Sequence, residues 1–446
     1  MTAATDAEPT VGVLGLHNSK ESKAILNAVD ALGYGTAWLR RENTAIAIED
    51  GRVRVEPAVD VVVNRLLLST TEYPAEDIGL AKTFAHAYPM LNTPDAVTTA
   101  MHKFATAVAL SKAGVAVPDA LLALASEQLN AARERFGDRA VYKTTIGTHG
   151  GGAWQVDLAE PVNPRVGDRQ AFLQDLIDPV GDRAQDARVY VVGDEVRGAM
   201  YRYAPEGEWR TNVALGGDVE DATSDLPEAA LDLARRAAAV VGLDYAGVDI
   251  IRDGEEWTVL EVNPTAGFRG LFQATGESPA PYIAKLAIEH VGGSVDDERV
   301  ASLAETLDDS RPACMPHKPR RVEREPAVIG YIEDVVLSGT RGSATVQAKS
   351  DTGAARTSID SQLAADIGTG PIKDVVTVRS GSHKEARTRP LVDVVVGLRG
   401  SQHTVTASVE DREHMAYKAL LGRDILQHYH VDVGRRPGDE EAETEE

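Results

Sequence analysis

Hydrophobic positions along this chain come in short runs whose period changes from segment to segment. Val11-Gly12-Val13-Leu14-Gly15-Leu16 is a continuous apolar run, the pattern of a parallel strand buried on both faces. Helical spacing follows from about Lys20 to Leu32, and Asp60-Val61-Val62-Val63-Asn64 returns to the strand pattern. Strand, helix and strand in succession predict a small α/β layer domain over residues 1–98. Asn64 and Arg65, at the carboxyl end of a predicted strand, stand where ligands of such sheets bind, and read equally well as a polar pair in a loop.

Helical and strand patterns mix over residues 99–293. The most informative stretch holds Ala-Gly-Val-Asp249-Ile-Ile and, past an Asp253-Gly254 turn, Val-Leu-Glu261-Val-Asn263-Pro264. Two strands joined by such a turn predict a hairpin that brings one carboxylate beside a second carboxylate and a carboxamide. Oxygen-only ligands suit a hard cation such as Mg²⁺, which shares its coordination with waters and substrate phosphates. The plainer alternative is a surface hairpin carrying ordinary acidic residues.

Residues 294–326 are rich in charge and end in Pro312, Pro316, Pro319 and Pro326, which predicts a linker. Over residues 327–434 the texture changes to short β-rich segments: Val328-Ile329-Gly330, Ala344-Thr345-Val346, Val375 to Val378, Leu391 to Val396 and Val405 to Val409. That spacing predicts an all-β barrel. Residues 435–446 read as a disordered acidic tail. The expected fold class is therefore α/β plus all-β.

Composition narrows the function classes. At 446 residues the chain has room for about three domains, and no apolar run approaches the roughly 18 residues that span a bilayer. A single cysteine, Cys314, excludes an internal disulfide and a cysteine-rich zinc site, and the start has no basic and then hydrophobic leader pattern, so a cytoplasmic protein is expected. The net charge of −23 disfavours sequence-independent nucleic-acid binding. Only 12 of the 46 basic residues are lysine and the acids are spread along the chain, which points to the solvated surface of a halophilic protein or to an acidic partner-binding face.

Five ordered motifs carry a resemblance. They are His102-Lys103-Phe104-Ala105-Thr106; Val141-Tyr142-Lys143 with Gly147-Thr148-His149-Gly150-Gly151-Gly152; Asp186-Ala187-Arg188-Val189-Tyr190 with Met200-Tyr201-Arg202; Glu208-Trp209-Arg210-Thr211-Asn212; and the Asp249/Glu261/Asn263 set. From about Met101 to Gly276 the chain resembles the ATP-grasp ligases, and within them the RimK-like amino-acid ligases. The resemblance implies an ATP-grasp fold preceded by an N-terminal α/β domain that helps form the substrate cleft. It implies ATP as co-substrate and Mg²⁺ held by Asp249, Glu261 and Asn263, as two ions bridged by Glu261, with Mn²⁺ as an alternative metal.

Lys103 and Lys143 would place point charges on the phosphates, and Gly147, Gly150, Gly151 and Gly152 would let backbone N–H groups approach them. A glycine-rich turn between strands also exists without any ligand, and no role follows for His149. Arg188 and Asn212 fall to the ATP site, Arg202 and Arg210 to catalysis, with structural salt bridges the alternative for any one arginine. The base would lie near Leu173 to Ile177, where Asp175 stands in place of the family's usual glutamate as ribose contact. Thr265-Ala266-Gly267-Phe268-Arg269-Gly270 departs from the proline-glycine turn common in the family, so the acceptor end differs.

In the last segment, Ala348-Lys349-Ser350-Asp351-Thr352-Gly353-Ala354 and Leu420-Leu421-Gly422-Arg423-Asp424-Ile425 resemble a retropepsin-like aspartic protease domain of the RimK-associated group labelled ATP-dependent zinc proteases. Aspartic protease chemistry needs two carboxylates sharing a proton, so a single Asp351-Thr352-Gly353 implies a homodimer formed through the barrel. Ala355 replaces an aspartate common in retropepsins. For zinc, His428 and His430 would share one strand face, with surface histidines the alternative, and there is no His-Glu-x-x-His helix.

The function expected is ligation of an amino acid, glutamate first, to a carboxylate on a peptide, protein tail or small cofactor, releasing ADP and phosphate. The competing expectation is a dimeric aspartic-type peptidase or peptide-binding protein whose ATP site is regulatory.

Overall fold

The computed structural model describes residues 8–69, 71, 73–147, 152–167, 169–177, 183–205, 208–211, 217–315, 326–378 and 387–435. The chain divides into two compact units, Met1–Pro319 and Arg320–Glu446.

The first unit begins with a four-stranded parallel sheet in which Thr10–Leu14 lies between Gly35–Leu39 and Val61–Asn64, with Met90–Leu91 at the outer edge. Helix Lys20–Ala31 starts at Ser19, whose side chain accepts from the Ser22 amide, and buries Ile25, Leu26 and Val29. The strand Gly35–Leu39 and an antiparallel hairpin, Ala45–Glu49 with Arg52–Glu56, add to the elements the sequence pattern predicts.

Two further sheets frame the site. One runs Arg165–Val166, Arg169–Asp175, Arg139–Thr144, Ala153–Asp157, and Ala120–Leu121 pairs with the Arg169 strand. The other is antiparallel throughout, in the order Asp218–Asp221, Glu195–Tyr203, Gln185–Val192, Tyr245–Asp253, Glu256–Asn263. Helix Glu228–Val241 packs on the Tyr245 and Glu256 strands and stops at Gly242, whose φ of 80° is the left-handed conformation glycine adopts freely.

One apolar core contains Leu14, Leu39 and Val62 of the first sheet together with Val189, Val248 and Val262 of the antiparallel sheet. A second joins Val13 and Ile25 to Tyr190, Tyr245 and Phe268. These shared cores make residues 8–315 one compact unit. The expected linker is in part structured: Asp297–Ala304 is a helix, capped by the Asp296 carboxylate at the Glu298 amide, that buries Val300 and Ala304. Its prolines come after the helix, so nothing in 297–304 opposes helix formation; residues 316–325 lie outside the described residues.

Asn92 pins the first sheet to the antiparallel one. Fully buried at a φ of 59°, it receives the amides of Asp244 (2.8 Å) and Tyr245 (3.2 Å) on Oδ1 and donates Nδ2 to Tyr245 O (2.9 Å) and Pro264 O (3.3 Å).

In the second unit, Ile332–Ser338 pairs with both Ser343–Ser350 and Arg387–Leu398, closing a barrel of six strands that also includes Ala419–Leu421, Ser358–Asp360 and Ser401–Glu410. Asp374–Val378 attaches outside the ring to Arg387–Leu398. Closure abolishes the ring's open edges, as expected for short strands around a core of Val335, Leu337, Val394 and Val396.

Replacing Asn92 with alanine would leave buried backbone groups of Asp244 and Tyr245 without partners. Such orphaned groups destabilise by about 1–3 kcal/mol each, so Asn92→Ala is expected to lower the unfolding free energy by at least about 2 kcal/mol in denaturant titration.

Candidate functional site

The Asp249 hairpin forms as its sequence pattern requires. Tyr245–Asp253 and Glu256–Asn263 are joined at Gly254 (φ 59°), Asp249 faces Glu261 across the strands, and Gly247 faces Asn263. Asp249 and Ile251 share a face by strand alternation, and a register shift between Asp249 and Ile250 leaves Leu260 of the partner strand as an extra residue, so that Leu260 and Glu261 both line the cavity.

Cross-strand pairing then extends this face over three more residues. Arg188 lies opposite Asp249, and Asp186, two residues before Arg188 and so on the same face, lies opposite Arg202. The side chains follow the register. Arg188 binds Asp249 through Nε (2.6 Å) and Nη2 (2.8 Å); Arg202 binds Asp186 through Nε (2.7 Å) and Nη2 (2.5 Å); and Arg202 Nη2 also reaches Asp249 at 2.9 Å. Thr211 donates to Asp186 at 2.6 Å. All four charged groups are nearly buried, with Arg202 3%, Asp249 6% and Asp186 7% exposed. Burial alone would raise the Asp249 carboxyl, but the two guanidinium groups overcome it and hold Asp249 well below the usual carboxylate range. Gly247 sits beside Arg188, where a Cβ would stand 2.6 Å from Ala266 Cβ.

Lysines enter from the other side. Lys103, the first residue of helix Lys103–Lys112, donates its backbone N–H to Thr145 O (2.8 Å) and pairs through Nζ with Glu261 at 2.6 Å. Lys143 is the fifth residue of Arg139–Thr144 and its Nζ donates to Gln174. Burial, then the positive charge of Lys103, push Lys143 down to about 8. The glycine loop begins and ends against Thr144: an added Cβ at Gly152 would collide with Thr144 Oγ1, and one at Gly147 would stand 3.0 Å from it. Gly150, Gly151, His149 and Asn212 lie outside the described residues.

These side chains line one cavity of about 310 Å³. It brings together Lys103, Lys143, Gly147, Gly152, Asp175, Arg188, Arg202, Arg210, Asp249, Glu261 and Asn263. Six basic and four acidic side chains line it, so a chain of net charge −23 turns a positive interior toward this space. The end near Asp175 is apolar, with Val141, Leu176, Ile177, Ile251 and Leu260. Burial, then Asp119 and Asp253, raise the Asp175 carboxyl above its ordinary value. Arg210 is not on a strand: it follows Glu208 in an irregular segment and pairs with its carboxylate at 2.8 Å, which, with backbone N–H bonds to the same carboxylate, puts Glu208 at about 2.

The donor set fits a polyphosphate bound with a hard cation. Asp249, Glu261 and Asn263 offer only oxygens of the required kind, and each is already oriented: the carboxylates by Arg188, Arg202 and Lys103, and Asn263 Oδ1 by the Thr265 amide at 2.9 Å. Among the described residues no group of three His, Cys, Asp or Glu could hold a metal, so a cation here would take Asn263, waters and phosphate oxygens to complete its shell.

Asp186, Gln174, Thr211 and Trp209 line the cavity without having been assigned a role from sequence. Asp186 had a signal, its alternation with Arg188, but its partner Arg202 became identifiable only with the strand register.

The second unit has its own feature. Asp351 follows Ser343–Ser350 and accepts the Gly353 amide at 2.9 Å. Arg423 donates to Thr352 O (2.9 Å) and Gly353 O (3.0 Å), while the Asp424 carboxylate takes the Thr357 amide (2.9 Å) and hydroxyl (2.8 Å). His428 and His430 do not share a strand: the short helix Arg423–Leu426 leaves His428 in a turn, stacked on His403 at 5.3 Å, and only His430 enters a strand.

Two antiparallel sheets facing a charged cavity, with side-chain oxygens of Asp249, Glu261 and Asn263 on a terminal hairpin, define an ATP-grasp architecture. A solved ATP-grasp ligase, PsnB complexed with precursor peptide PsnA2 and AMPPNP, matches this fold with a TM-score of 0.50 at 19% identity, covering 65% of this chain and all of that one. The model of the RimK-like ATP-grasp domain matches residues 100–285. A tetrahydromethanopterin:alpha-L-glutamate ligase of Methanocaldococcus jannaschii is 33% identical over 221 residues, 47% of this chain and 74% of the relative. A probable alpha-L-glutamate ligase of Mannheimia succiniciproducens is 32% identical over 225 residues, 49% of this chain and 73% of that protein. The chain belongs to the RimK-like ATP-grasp family.

Lys143, at about 8, carries a charge into the cavity that it loses as pH rises. Affinity for ATP is therefore expected to fall between about pH 7 and about pH 9.5, tending towards tenfold per unit above the Lys143 pKa, whereas Lys143→Arg, which stays charged, should flatten the profile in calorimetric titration.

Proposed function

We propose that this protein is an ATP-dependent carboxylate–amine ligase that adds an amino acid, glutamate in the first instance, to a carboxylate on a peptide, protein tail or small cofactor. The observation that carries the reading is the single cavity that gathers two lysines, two buried arginines and the Asp249, Glu261 and Asn263 oxygens. Curated relatives named as alpha-L-glutamate ligases support glutamate as the amino acid.

A carboxylate is a poor electrophile, and ATP makes it a better one by passing its γ-phosphoryl group to it; the amine then displaces phosphate and ADP is left. Magnesium, held by Asp249, Glu261 and Asn263, would neutralise charge on the phosphates. Lys103 and Lys143 would hold the polyphosphate, and Gly147 and Gly152 would keep side chains out of its way. Arg202, fixed by Asp186 and Asp249, and Arg210 would stabilise charge at the reacting carboxyl. Val141, Ile251 and Leu260 would face the base and Asp175 the ribose.

For the second unit we propose a retropepsin-like barrel acting as a dimer, either as peptidase or as peptide-binding module. The closed six-stranded ring supports it, as does the Asp351-Thr352-Gly353 turn clamped by Arg423.

The test is ADP formation by the full chain with Mg²⁺, comparing single amino acids and candidate acceptors. Glu261→Ala is expected to reduce amino-acid-dependent turnover by roughly a hundredfold or more, since it removes a metal ligand and strands Lys103. Asp351→Ala should leave ADP formation within about twofold. Loss of turnover in Asp351→Ala with retention in Glu261→Ala would overturn the assignment.

A further inference from the structure

Arg65 is a buried cation that the site so far described does not use. It follows the parallel strand Val61–Asn64, its amide bound to Leu14 O at 2.9 Å, so it projects from the carboxyl ends of the central strands. Its side chain is 3% exposed, yet Nε and Nη1 have no hydrogen-bond partner. Nη2 donates to Thr265 O at 3.3 Å, and the guanidinium lies 5.4 Å from the Phe268 ring. Lys103, Arg188, Arg202 and Arg210 each hold a carboxylate. A buried guanidinium with unmade N–H bonds is a group whose acceptor comes from elsewhere.

The surroundings limit how that acceptor arrives. The space beside Arg65, bounded by Asn263, which also lines the main cavity, and by Tyr190, Tyr245 and Phe268, is about 10 Å³, room for about one water, so a carboxylate reaches the guanidinium only if the 265–268 turn gives way. Arg65 thus stands next to Asn263, on the side of the 265–270 turn. Glu21, an acid that feels the Arg65 charge, is held by Ser19 at 2.7 Å; burial would raise its carboxyl, but the Arg65 charge and the Ser19 bond keep it below the ordinary range. Glu21 is not within ion-pair distance of Arg65.

We infer that Arg65 binds the non-reacting carboxylate of the incoming amino acid, an inference that rests on the ligase reading above. That carboxylate stays ionised through the reaction and needs a fixed cation if the amine is to be oriented. Thr265 O, a neutral acceptor at long distance, is exchanged for a charged acceptor, and such charge-assisted bonds are about twice as strong. A shift of the packed 265–268 turn is therefore coupled to arrival of the amino acid.

The experiment is calorimetric titration of L-glutamate, L-glutamine and L-isoglutamine into the full chain saturated with Mg²⁺ and AMPPNP, comparing wild type, Arg65→Gln and Arg65→Lys. Expected are tighter binding of glutamate than of at least one amide by wild type, glutamate binding weakened roughly 10- to 100-fold in Arg65→Gln with that discrimination lost, a smaller loss in Arg65→Lys, and nucleotide affinity within about twofold. Unchanged glutamate binding in both variants, equal loss of nucleotide binding, or wild type that binds nucleotide but none of the three amino acids overturns the inference. Wild type that fails to bind AMPPNP at all overturns the ligase reading itself, and this inference with it.

Discussion

The buried chain of charge Asp186, Arg202, Asp249 and Arg188 is the constraint on which the site depends. Each member is removed from water, and each is tolerable only because its neighbours supply the opposite charge through paired, charge-assisted bonds at 2.5–2.9 Å. Removing one member would leave an uncompensated charge in the sheet rather than a gap. The β-sheet register is what makes the arrangement possible, since Asp186 faces Arg202, and Arg188 faces Asp249, by strand pairing alone. Fixed register converts four residues scattered over some sixty positions into one preorganised surface.

That surface explains how an acidic protein can hold an anionic ligand. Distributed surface acids repel a polyphosphate at a distance, but the cavity concentrates arginine and lysine against buried carboxylates that already satisfy most of the charge. What remains for a ligand is a small positive excess in a low-dielectric space, where it acts more strongly than it would in water.

Much of this was legible in the sequence because it rests on local pattern. The hairpin around Asp253-Gly254 follows from alternation and a turn dipeptide, and the strands at Val11, Val61, Leu391 and Val405 follow from apolar runs. What was not legible depends on long-range geometry. Asp186 alternates with Arg188, but nothing local says that its partner is Arg202. Asn92, a lone polar residue after a two-residue strand, shows no pattern, and its role appears only when Tyr245 and Pro264 arrive from more than 150 positions away. The helix Asp297–Ala304 was hidden by the prolines that follow it, and His428 was misplaced because a single helical turn, Arg423–Leu426, interrupts the strand pattern.

Asn92 also has a meaning for how the two parts of the first unit can be recombined. Its bonds run to the backbone of Tyr245 and Pro264, and the Tyr245 hydroxyl donates back to Asn64 O at 2.5 Å. The loop after Asn263 is thus moored to the N-terminal sheet. In a chimera that exchanged the N-terminal layer with a relative's, the crossover point would matter more than overall identity. A junction falling between residues 64 and 92 would split the mooring between two parents, whereas one placed after Asn92 would carry both N-terminal contacts together.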